Sequence, residues 1–132
     1  MDKKILIAGV SLGMLSVVLG AFGAHGLKEL VSIEATQTFE TGVRYQMYHA
    51  ILLLFVATTT FLNEKTKKIV YYLVIIGVLF FSGSIYVLAT NSLTNFDFKT
   101  IGFITPIGGL FLILAWIFLF VEFLKISSKN TN

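Results

Sequence analysis

The stretch IVYYLVIIGVLFFSGSIYVLAT, residues 69–90, decides the fold. It carries no Asp, Glu, Lys or Arg. A helix crosses the roughly 30 Å of bilayer hydrocarbon with about 20 mostly apolar residues, and this run has that length. A membrane β-strand would be about half as long and would alternate in polarity; here apolar side chains follow one another without alternation. Three similar runs lie outward of it, at residues 5–24, 43–62 and 101–124, each with a centre free of charge. The sequence therefore predicts an all-α integral membrane protein, a four-helix bundle running up-down-up-down in one domain.

Composition points the same way. Hydrophobic residues make up 56% of the 132-residue chain and charged residues 13%, against about 45–50% and about 25% in soluble domains. A small soluble protein must cover a large surface with polar groups, and this chain has too few. The length leaves no room for a separate soluble catalytic module. With no cysteine, disulfides, thiolate chemistry and cysteine-held metals are excluded. The net charge of +3 is thinly spread, without the basic stripe that nucleic acid requires.

Residues 63–68 read as a tight, lysine-rich turn, and residues 91–100 as a polar loop holding Asp97 and Lys99. In the longer connector 25–42, Ser32 is placed to cap a helix starting near Ile33 by accepting a free backbone N–H. The second helix then begins ahead of the membrane. The polar tail 127–132 reads as frayed. Lysine and arginine favour the cytoplasmic side of short loops. Lys3, Lys4, Lys65, Lys67, Lys68, Lys125 and Lys129 fall on one side, and Lys28, Arg44 and Lys99 on the other, which predicts both termini in the cytoplasm. Lys3 and Lys4 ahead of an apolar run ending in Ala21-Phe22-Gly23 also resemble a signal peptide. The run exceeds the roughly 7–15 residues of a signal core, so a retained helix is the favoured reading.

In the first run, Gly9, Gly13, Ser16, Gly20 and Gly23 recur at helical spacing on one face. Membrane helices associate through small residues that let backbones approach. An intramolecular seam is favoured over a dimer interface, because three other helices need a partner. Gly83, Gly108 and Gly109 are read as packing positions too. The second run opens Thr41-Gly42-Val43-Arg44-Tyr45-Gln46-Met47-Tyr48-His49, and a histidine at that depth requires a partner from protein or water. Ser82, Gly83, Ser84 and Tyr86 end the third run. In the fourth, Pro106 suits a first helical turn, with Thr105 as its cap and the helix spanning residues 106–124; the alternative is a helix starting at Ile101 that Pro106 kinks. An up-down-up-down path brings His25, Tyr45, Gln46, His49, Ser82, Ser84, Tyr86 and Thr105 to one end of the bundle. The lysine rule makes this the outer leaflet. The inner halves, around Phe55, Ile75 and Phe118, are predicted to be almost purely apolar.

Taken together, Gly20-Ala21-Phe22-Gly23-Ala24-His25, Thr41-Gly42 with Tyr45-Gln46 and His49, Phe81-Ser82-Gly83-Ser84 with Tyr86, and Thr105-Pro106-Ile107-Gly108-Gly109 resemble the domain of unknown function 423 family. That family is also called uncharacterised protein family 0382; the eukaryotic transmembrane protein 256 looks related. The resemblance covers nearly the whole chain in one motif order. It implies a four-helix protein of the bacterial plasma membrane with no assigned activity, and it supplies no catalytic residue, cofactor or substrate. Arg44 stands outside the shared pattern.

The expected role is a structural or accessory component of the membrane, not an enzyme. The alternative is binding of a small molecule, lipid or quinone, or transport, through a polar pocket at the outer end. No nucleophile–base pair emerges: His49 and Glu40 are two and a half turns apart on opposite sides of one helix. His25 and His49 as haem or metal ligands would differ in depth by roughly 9 Å if the second helix enters at Val43, so hydrogen-bonded packing is the favoured use. No cofactor or metal is expected. The expected partners are membrane lipids and other membrane proteins, a second copy of the chain included, and no nucleic acid.

Overall fold

A computed structural model describes residues 1–95 and 97–126. Helix α1 spans Asp2–Ala24, α2 Ile33–Thr58, α3 Glu64–Ala89 and α4 Ile104–Leu124, with short 3-10 turns at Leu27–Glu29, Asn91–Leu93 and Phe98–Ile101. The tail 127–132, read above as frayed, lies outside the described residues.

The ends of α2 follow from local chemistry. Ser32 Oγ accepts the Ala35 N–H at 3.1 Å, satisfying a donor that the helix leaves open. At the other end Thr58, Thr59 and Thr60 follow one another. β-Branched side chains resist the helical backbone, and Thr59 is extended. The helix therefore runs ten residues further out than the apolar run and stops short of residue 62.

The structure departs from the sequence expectation at the starts of two helices. Residues 63–68 are not a turn: Asn63 Oδ1 accepts the Thr66 N–H at 2.8 Å, so α3 starts at Glu64 and the lysines stand on its first turns. Helix α4 starts at Ile104, not at Pro106, and no side chain caps it. Pro106 still lies in the first turn, where a missing N–H breaks no intrahelical bond. The Thr105 hydroxyl is taken by Ser84 instead.

Consecutive helices pack antiparallel. Gly23, Gly20, Gly13 and Gly9 of α1 lie against Phe39, Val43, Met47 with Ala50, and Leu54 of α2 in turn. Ser16, on the same stripe, is buried and bonds Leu12 O at 2.8 Å. Similarly, Ser84 faces Thr105 and Gly77 faces Leu112 between α3 and α4. At Gly108 a Cβ would overlap the backbone of Phe80 and Phe81, so only glycine permits that approach. Gly109 sits in ordinary contact with the Phe81 ring, 3.5 Å from where its Cβ would lie. Gly83 is not a packing position. Nothing lies within 4 Å of its would-be Cβ, because Ser82 and Ser84 on either side take the faces toward α2 and α4.

α1 with its following turn, α3, and α4 with its preceding turn are long and apolar enough to cross a membrane. α2 has Glu34, Glu40 and Arg44 in its first turns. Yet Asp2 of α1 meets Lys67 near the start of α3, so α1 and α3 run the same way. The chain returns between them through α2, which lies sheltered by both.

The candidate polar network

Gln46 is the centre of the polar network. It is 4% exposed and reaches two other helices. Its Nε2 donates to Leu12 O of α1 at 2.9 Å, and its Oε1 accepts the Tyr86 hydroxyl of α3 at 2.6 Å. Ser82 Oγ donates to Gly42 O of α2 at 2.7 Å. The absence of a side chain at Gly42 makes room, since a Cβ there would come within 2.8 Å of the Tyr86 ring. Ser84 and Thr105 share a hydrogen bond of 2.5 Å between α3 and α4.

His49 is buried and has both ring nitrogens engaged. Trp116 of α4 donates its indole N–H to Nε2 at 3.1 Å. That makes Nε2 an acceptor and leaves the ring proton on Nδ1, which donates to Tyr45 O at 2.6 Å. The imidazole is thus a neutral bridge from α2 to α4. Trp116, which the motif reading missed, had one available signal: it is the single indole of the chain, and a deep histidine requires a partner. Tyr45 itself is exposed and stacks edge-on against Tyr48 and Phe81. Arg44 is exposed and donates to Thr41 Oγ1 at 3.1 Å.

His25 does not join this network. It is exposed and ends α1. Because α2 extends outward to residue 33, Gly23 is level with Phe39 and His25 lies beyond it. By helical rise His25 and His49 are about 18 Å apart in depth, not the roughly 9 Å of the sequence reading, so they do not form a facing pair.

Between α2 and α4 lie two cavities that share Trp116. One of about 280 Å³ is lined by Tyr45, His49, Phe81 and Gly109 among others. The other, of about 470 Å³, is walled by Tyr48, Ile51, Phe55, Phe120 and Phe123. The hydrogen-bonding atoms of His49 are already used, so these walls present mainly hydrocarbon and aromatic surface.

The opposite end is not purely apolar. Lys67, 5% exposed, donates to Asp2 Oδ1 at 3.2 Å and to Ala57 O at 3.1 Å. Ala57 O is a carbonyl that the end of α2 leaves without an intrahelical donor. An ammonium on a flexible stem folds back to fill that vacancy, an outcome that hydropathy does not reveal.

The profile of the family described as "Protein of unknown function (DUF423)" matches residues 19–109. A UPF0382 membrane protein of Staphylococcus haemolyticus is 37% identical over 93% of this chain and 97% of its own length. The UPF0382 membrane protein YwdK of Bacillus subtilis is 38% identical over 93% of this chain and 98% of its own. Another, of Haemophilus influenzae, is 38% identical over 89% and 90%. No solved structure matches. With the profile covering most of the chain and its relatives aligned along nearly all of it, the protein belongs to the DUF423 family of membrane proteins of unknown function.

Proposed function

We propose that the protein is a structural or accessory component of the cell membrane, without catalytic activity of its own, acting through contacts with lipids and other membrane proteins. One observation carries this reading. The polar groups at the His49 end bind one another across helices, and among the described residues no buried side-chain polar atom lacks a partner. A general base or a ligand-holding group needs a free lone pair or proton directed at the substrate; those of Gln46, His49, Ser82, Ser84 and Tyr86 are spent on packing. The cavity beside His49 favours a second reading, in which a small apolar molecule or lipid lodges between α2 and α4.

Native mass spectrometry of the membrane-extracted protein separates the two. The accessory reading expects the chain alone, self-associated, with another membrane protein, or with membrane lipid that Trp116→Ala leaves in place. A small molecule retained in stoichiometric amount, and lost on Trp116→Ala, would overturn it in favour of the second.

A further inference from the structure

The end of the bundle opposite His49 carries Lys3, Lys4, Lys65, Lys67, Lys68 and Lys125. Two are neutralised, Lys67 by Asp2 and Lys125 by Glu122, each at 3.2 Å. Among the described residues the other four have no carboxylate partner, although Glu64 stands one turn from Lys68. Four uncompensated cations at the margin of an apolar bundle attract phosphate-bearing headgroups.

One of them is held in a defined place. Lys4 Nζ lies 5.5 Å from the centre of the Tyr71 ring and 5.6 Å from that of Tyr72. Aromatic faces attract a cation at such distances. The two rings meet edge-on at 5.1 Å; Tyr71 is buried and Tyr72 exposed. Lys68 stands one turn before Tyr72 on the same face of α3, and Lys65 a further turn away. Tyr72 is therefore flanked by a lysine from α1 and a lysine from its own helix. Immediately along α1, exposed Leu6, Ile7 and Val10 offer a surface for an acyl chain.

We propose that Lys4 and Lys68, set about Tyr72, bind the phosphate of an anionic phospholipid whose acyl chains lie along α1. Anionic headgroups fit the local charge, whereas a zwitterionic headgroup brings its own cation into a patch already rich in them. The proposal names one of the lipid contacts of the accessory reading, at the lysine end of the molecule and away from the cavities between α2 and α4.

The test is native mass spectrometry of the full chain in detergent with equimolar phosphatidylglycerol and phosphatidylcholine. The wild type is expected to retain phosphatidylglycerol in preference. Lys4→Gln and Lys68→Gln each lower that preference about fivefold, the contribution of one lysine near an anionic surface. Lys125→Gln, which removes a lysine already paired, leaves it unchanged. Tyr71→Leu/Tyr72→Leu keeps every charge but releases Lys4, and lowers the preference as Lys4→Gln does. Should that double variant fail to fold, the two exposed lysine variants decide. Equal retention of both lipids by the wild type overturns the proposal. So does an equal drop in Lys125→Gln and Lys4→Gln, which would reduce the effect to net charge.

Discussion

Gln46 is a polar side chain in the middle of a membrane bundle, and its position follows from what it would lose elsewhere. A primary amide facing lipid has no hydrogen-bond partner and is costly to bury. Between α1 and α3 it finds Leu12 O and the Tyr86 hydroxyl. Interhelical hydrogen bonds in membranes contribute about 0.6 kcal/mol on average and up to about 1.7. Gln46→Leu and Tyr86→Phe are each expected to destabilise the bundle by about 1 kcal/mol. The double variant is expected to cost less than the sum, with a coupling of about 0.5–1 kcal/mol, measured by equilibrium unfolding in mixed micelles. Strict additivity would show that the 2.6 Å contact contributes nothing. This network was half legible in the sequence. Depth marked His49 as a residue in need of a partner, and the path of the helices brought Gln46 and Tyr86 to the same end, but a demand does not name its supplier. Leu12 O is a backbone atom with no sequence signature, and Trp116 lies 67 residues from His49 among lipid-facing neighbours that look no different from it in hydropathy.

Helices report their termini and their packing faces unequally. The cap at Ser32 is readable because a serine precedes a helix-forming segment. Asn63 is as good a cap, but the lysines after it look like a turn when only apolar length is counted. Glycines raise the same difficulty, since composition does not say which of them separates two backbones. Gly108 allows α4 onto α3, and Gly83 faces open space. Gly108→Ala is therefore expected to cost about 1–3 kcal/mol by overpacking. Gly83→Ala is expected to be neutral or to stabilise by up to about 1 kcal/mol, because alanine is the better helix former. Thermal unfolding of the two variants, read by circular dichroism in one detergent, gives the comparison. Equal effects would contradict the register of α3 against α4.

At the scale of the whole molecule, the two ends are closed by different means. One end uses neutral hydrogen bonds among four helices. The other uses the Lys67 ammonium, which joins α1 through Asp2, α2 through Ala57 O, and α3 on which it stands. The pair is asymmetric: the Lys67 side chain is 6% exposed and that of Asp2 48%. Asp2→Ala leaves a buried ammonium with one carbonyl and is expected to cost about 1–2 kcal/mol, below the range for a fully buried pair because Asp2 is half in solvent. Lys67→Met removes the buried charge, keeps the length of the side chain and returns Asp2 to water, at a cost below about 1 kcal/mol. Unfolding of both variants at one pH checks the order. A larger loss in Lys67→Met would mean that the bond to Ala57 O outweighs the ion pair.

Orientation belongs to the molecule as a whole. The antiparallel path places the start of α1 and the end of α4 on one face, and the lysine rule predicts that this face is cytoplasmic. In the sequence seven lysines flank the terminal ends of the apolar runs, and Lys28, Arg44 and Lys99 flank the other ends. The bias toward the cytoplasm acts through lysine and arginine near the ends of spans, and acidic residues contribute little. Pairing of Lys67 with Asp2 therefore does not remove it from the count. A fluorescent-protein fusion at the C-terminus is expected to fluoresce, and an alkaline phosphatase fusion there to be inactive, in a bacterial host. The variant Lys3→Gln/Lys4→Gln/Lys65→Gln/Lys68→Gln leaves three cationic residues on each side. Without the bias, both reporters are expected to give partial signals from a mixed population. An active phosphatase fusion in the wild type would invert the orientation and put the Gln46 network in the cytoplasmic leaflet. The helix packing would be untouched, because the hydrogen bonds and glycine contacts hold whichever way the bundle faces.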